Sequence, residues 1–80
     1  MMYEKNKALK DIEEINKNIT TSLSLVNTSN RGFTSQNILS QLRNLSEAIL
    51  VFCYNEHTEQ NFATERKSIK ASQEYLVSID

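Results

Sequence analysis

Proline and tryptophan are absent from this chain, and glycine, cysteine and histidine each occur once. With Gly32 as the only glycine, the chain lacks the tight-turn residues that a β-rich fold of 80 residues needs at its hairpins. Cys53 has no second cysteine to pair with, which rules out an internal disulfide and fits a reducing, cytoplasmic compartment. Its setting in the run Ala48-Ile-Leu-Val-Phe-Cys-Tyr54 points to a buried structural thiol. That run is the longest apolar stretch and is far too short to span a bilayer, so no membrane role is expected. A charge excess is missing as well. The net charge is −1, and acids and bases balance along the first twenty residues, so no basic stripe is present for strong direct nucleic-acid binding.

The motifs of catalysis are also lacking. There is no glycine-rich phosphate loop, no CxxC, no HExxH, no carboxylate-rich calcium loop and no nucleophile elbow. Glu56, His57 and Glu59 sit on one short segment and do not converge on a metal without ligands from elsewhere. Cys53 and His57 lie one helical turn apart, but no third group is evident to orient such a pair. The expectation is a protein that is not an enzyme, with no catalytic, cofactor-binding or metal site and no cofactor.

What is present is helical periodicity. Ile12, Ile15, Ile19, Leu23 and Val26 recur at steps of three and four, one face of a helix. Ile38, Leu42, Leu45, Ile49 and Phe52 repeat the pattern, widened by Leu39, Leu50 and Cys53. Phe62, Ile69, Leu76 and Ile79 mark a third, sparser stripe, with Ala63 and Ala71 as small neighbours. The segment Asn27-Thr-Ser-Asn-Arg-Gly-Phe33 reads as a loop in which Gly32 takes a positive φ. Thr34 follows as an N-cap, with Phe33 and Ile38 as a hydrophobic staple. Asn55-Glu-His-Thr58 reads as the second break, with Thr58 capping the last helix and Glu59 in its first turn.

The predicted fold is all-α: one domain over 1–80, a small three-helix bundle with helices near 3–26, 35–55 and 59–78 and the second helix central. Leu42, Leu45, Ile49 and Phe52 are the expected core positions, packed on Ile12, Ile15 or Ile19. The apolar run to the end of the chain, Tyr75-Leu-Val-Ser-Ile-Asp80, is read as a docked helix or as the start of a longer protein.

The second helix carries the most informative string, Gln36 to Leu50. Arg43 and Glu47 stand one turn apart in it, either as an exposed ion pair or as a partly buried pair that fixes packing or presents Arg43 to an anionic group. The pattern Leu42-Arg43-x-x-x-Glu47-Ala48-Ile49 resembles the central helix of HEPN-like helical domains. It is similar in particular to the non-catalytic type at the front of type I restriction-enzyme motor subunits and related prokaryotic defence proteins. Catalytic members carry a histidine a short spacer after the arginine; the corresponding positions here are Ala48, Ile49 and Leu50. The resemblance therefore implies a scaffold and not a nuclease.

Two functions follow as expectations. The first is a non-catalytic interaction module, self-associating or docked to other domains of a larger prokaryotic defence or nucleic-acid-processing protein. The second is a free-standing small regulator, antitoxin-like or phage-encoded, that binds a partner protein. In either case Leu39, Leu50, Val51 and Tyr54, which point away from the main stripe, and Arg43 and Glu47 are the candidate contact residues.

Overall fold

The computed structural model describes residues 2–26 and 31–78, with side chains for 2–26 and 35–78. Three helices account for most of them: α1 (Lys5–Ser24), α2 (Arg31–Glu56) and α3 (Ala63–Ser78). No strand occurs among the described residues, and α2 packs against both other helices. The fold is a small three-helix bundle.

Polar contacts at the two ends fix the helix directions. Lys5 Nζ lies 3.9 Å from Glu56 Oε1, joining the start of α1 to the end of α2. Asn37 Nδ2 donates to Ser22 Oγ at 2.9 Å, joining the end of α1 to the start of α2. The hydroxyls of Ser35 and Tyr75, 3.4 Å apart, bring the end of α3 to the start of α2. Both neighbours therefore run antiparallel to α2, as short connections dictate.

The fully buried positions are sparser than the periodicity suggests. On α2 they are Ile38, Leu45 and Phe52, at heptad spacing, and on α1 they are Ile12 and Ile19. Leu42 and Ile49, expected in the core with Leu45 and Phe52, are only half-buried, because a helix flanked by two neighbours shields one line of residues completely and the adjoining lines in part. Phe62 completes the main cluster, and Ile15, Leu23, Ile49 and Ile69 pack on its rim. The rings of Phe52 and Phe62 meet edge to face, with centroids 5.5 Å apart and planes at 82°. At the other end of the bundle the core is small and hydroxylated. Ser22 and Ser72 are buried beside the level of Ile38, and the Ser72 hydroxyl donates to the Ser68 carbonyl at 2.8 Å.

Several helix ends depart from expectation. α2 begins at Arg31, so Gly32 is helical and Thr34 lies inside the helix instead of capping it. Residues 27–30 of the expected loop, the Phe33 side chain of the Phe33–Ile38 staple, and Ile79 lie outside the described residues. α3 begins at Ala63 and not near 59. Thr58 is therefore no N-cap; the Phe62 carbonyl accepts the first bond, from Arg66 N–H at 2.8 Å, and Glu65 occupies the first turn. Ala63 and Ala71 are exposed, and the small buried residue on α3 is Ser72.

The end of α2 shows why Thr58 has another task. His57 takes a left-handed conformation, φ 53°, and the Thr58 N–H reaches back to the Cys53 carbonyl at 3.1 Å. This is the Schellman arrangement, with His57 in the position that glycine usually fills and Thr58 just beyond it. A Cβ in that conformation costs about 1 kcal/mol.

Two outcomes are expected. Leu45→Ala should lower stability by about 2–5 kcal/mol in urea unfolding, the usual range for a buried leucine, and an unchanged midpoint would mean that α2 faces another way. His57→Gly should raise stability by roughly 0.5–1 kcal/mol by relieving the left-handed cap, and a lower thermal midpoint would contradict that account.

Candidate interaction face

The three helices differ in what they show to solvent. The exposed positions of α1 are all polar, running from Lys5 through Lys10, Glu13, Glu14 and Lys17 to Ser24. That face is an ordinary solvated surface. Of the seven exposed large hydrophobic residues among those described, four lie on α2: Leu39, Leu50, Val51 and Tyr54. Leu50 is 68% and Tyr54 80% accessible, values that exclude any role in the bundle's own core.

These four share one side of the helix with Arg43 and Glu47. At 3.6 residues per turn, Leu39, Arg43, Glu47, Leu50, Val51 and Tyr54 fall within roughly a third of the helix circumference. That third lies opposite the line of Ile38, Leu45 and Phe52. All six candidate residues are exposed and on one face, so the fold assembles what the sequence named separately. The apolar part is not continuous. Leu50, Val51 and Tyr54 form a patch toward the end of α2, and Leu39 stands alone three turns earlier, with the two charges between.

Arg43 and Glu47 form no ion pair with each other, although both are exposed and spaced for one. The ion pairs among the described residues are Lys5–Glu56 and Lys7–Asp11, the latter at 3.2 Å. The partly buried, packing pair is excluded by their exposure. The order Arg before Glu is the weaker of the two polarities, although Lys7 and Asp11 pair in that same order on α1.

Cys53 is half-buried and not fully enclosed. It packs on the rim of the core and lines a shallow groove with Ile49, Leu50, Thr58, Glu59 and Arg66. The groove runs along one side of the exposed apolar patch. A second one, lined by Ala8, Asp11, Asn44, Glu47, Ala48 and Val51, runs along the other side. The outer face of α2 is thus a ridge between two furrows, a shape suited to another helix or a protein edge and not to a small enclosed ligand.

The remaining titratable cluster lies at the end of the bundle. His57 is exposed, and no group of three His, Cys, Asp or Glu side chains among the described residues is placed to share a metal. No helix in the described residues is long and apolar enough to cross a membrane. Tyr3, just before α1, is a feature that periodicity could not reveal. Its hydroxyl oxygen is buried with no well-formed hydrogen bond, close to Glu56. Burial first, then the adjacent Glu56 carboxylate, push this phenol from its ordinary value of 10.0 up to about 12. The protein has no evident chemical use for it.

Comparison with protein-family models, with curated proteins and with solved structures finds no match.

The raised Tyr3 value has a consequence for alkaline stability. The folded chain holds this proton more tightly than the unfolded chain, so the stabilisation is fully present below pH 10 and is lost as pH rises from 10 through about 12. Tyr3→Phe should flatten urea midpoints across that window relative to the parent. Parallel curves for the two proteins would show that Tyr3 does not sense its surroundings in this way.

Proposed function

We propose that this chain is a non-catalytic helical interaction module whose working surface is the outer face of α2. One observation carries the reading: exposed large hydrophobic groups are concentrated on α2, on the side opposite the core, while α1 shows only polar groups to solvent. A soluble protein keeps such a patch where something else covers it. The two flanking furrows and the half-buried rim at Cys53 extend the surface on either side.

The setting we propose is a larger prokaryotic defence or nucleic-acid-processing assembly. Its support is the likeness of the Leu42-Arg43…Glu47-Ala48-Ile49 helix to non-catalytic HEPN-like domains. In this reading the chain is no nuclease, since Ala48, Ile49 and Leu50 occupy the places where a catalytic histidine would stand. The lone thiol of Cys53 fits a reducing cytoplasm. The partner is protein, bound by apolar contact with polar edges.

The test uses the full chain in its own cells, with a photo-crosslinking residue at Leu50 and a control at exposed Lys67 on α3. Leu50 should yield an adduct of defined mass, containing this chain or another protein, and Lys67 should not. Adducts at Leu50 no more frequent than at Lys67 would overturn the reading, as would RNA cleavage by the purified chain that Arg43→Ala abolishes.

A further inference from the structure

Resting on the interaction-module reading, the geometry points to a second copy of this chain as the occupant of the α2 face, docked antiparallel about a two-fold axis at the level of Leu45. The argument begins with the charges. Arg43 and Glu47 are exposed, lie on the apolar face and make no ion pair among the described residues. A partner that covers this face either supplies an acid opposite Arg43 and a base opposite Glu47 or leaves the two charges only each other, in the weaker intrahelical order.

A second α2, running the other way, supplies both. The outward seam of α2 passes through residues 36, 40, 43, 47, 50 and 54, all exposed, in alternating steps of four and three. Those steps read the same in both directions. An antiparallel copy centred on the level of Leu45 therefore meets every seam position with another seam position. Arg43 faces Glu47 of the second copy and Glu47 faces its Arg43, giving two ion pairs across the axis. At the ends of the seam Tyr54 lies over the Gln36 amide of the second copy. Leu50 packs across Ser40, a small residue that lets the helices approach.

The alternating steps are those of a knobs-into-holes contact, so the same surface that is an irregular patch on one chain becomes a regular seam when doubled. The pairing is isologous and closes at two copies. A parallel arrangement brings Arg43 onto Arg43 and Glu47 onto Glu47, which the like charges oppose. A single helix-on-helix contact is at the low end of specific interfaces, below about 1,200 Å² in total, so the dimer is a weak one, of micromolar order.

Sedimentation velocity on the full chain, from micromolar to millimolar concentration, tests this. The parent should pass from monomer to dimer. Arg43→Glu alone and Glu47→Arg alone should each remain monomeric, since each sets like charges against each other across the axis. An equimolar mixture of the two variants should associate again, because every cross-axis contact then joins Glu to Arg. Recovery on mixing is not available to a variant that has merely lost its fold, and circular dichroism of each variant alone completes that control. A parent that stays monomeric at millimolar concentration overturns the proposal, as does a dimer indifferent to both variants. In either case the Leu50 crosslink decides the broader reading separately: an adduct with a different protein leaves the module standing, and no adduct removes it.

Discussion

The edge-to-face contact of Phe52 and Phe62 governs the layout of this bundle. Each ring contributes about 1.5–3 kcal/mol by leaving water, and their mutual geometry adds about 0.5–1.5 kcal/mol. The non-helical linker from Thr58 delivers Phe62 to the core, against Phe52, before α3 starts. A good capping residue at Thr58 is passed over, because capping is worth about 1 kcal/mol and the aromatic contact is worth more. The left-handed turn at His57 is the other half of the same requirement. It ends α2 abruptly and aims the chain back across the bundle, at a cost smaller than the contact it makes possible.

The core that results is narrow. Ile12, Ile19, Leu45, Phe52 and Phe62 form one buried cluster, and Ile38 lies beyond it near the hydroxylated end with Ser22 and Ser72. Two neighbours shield only the inner side of α2, and its outer side keeps Leu50, Val51 and Tyr54 in solvent. In a longer α3, or with a fourth helix, those residues would be ordinary core. Here they are surplus to the fold, and the Arg43–Glu47 pair among them is surplus to intrachain electrostatics. Apolar groups and opposite charges that form no ion pair with each other share that one face.

The heptad line along α2 has a counterpart on its opposite side. Ile38, Leu45 and Phe52 face inward at the spacing of a coiled coil, and the exposed seam through Arg43, Glu47, Leu50 and Tyr54 faces outward at the same spacing. A helix with two such lines has weak amphipathicity, because neither side is wholly polar. The candidate face and the core are therefore two sides of one helix, and a substitution on either is separable from the other.

Much of this was decided by the sequence alone. Three stripes at helical steps, with no proline and one glycine, require three helices, and the overfull second stripe requires that helix to be central and partly uncovered. The outward residues Leu39, Arg43, Glu47, Leu50, Val51 and Tyr54 could be named for the same reason, since angular position on a helix is fixed by residue number. The helix ends could not be placed so, because local capping preferences at Thr34 and Thr58 are worth about as much as one packing contact and yield to it. Which stripe residues are fully buried, why Ser72 and not an alanine fills the tight level of α3, and that the Tyr3 hydroxyl lies buried against Glu56 were settled only when the helices packed. Those properties depend on distances between elements far apart in the chain, and no periodicity within one element carries that information.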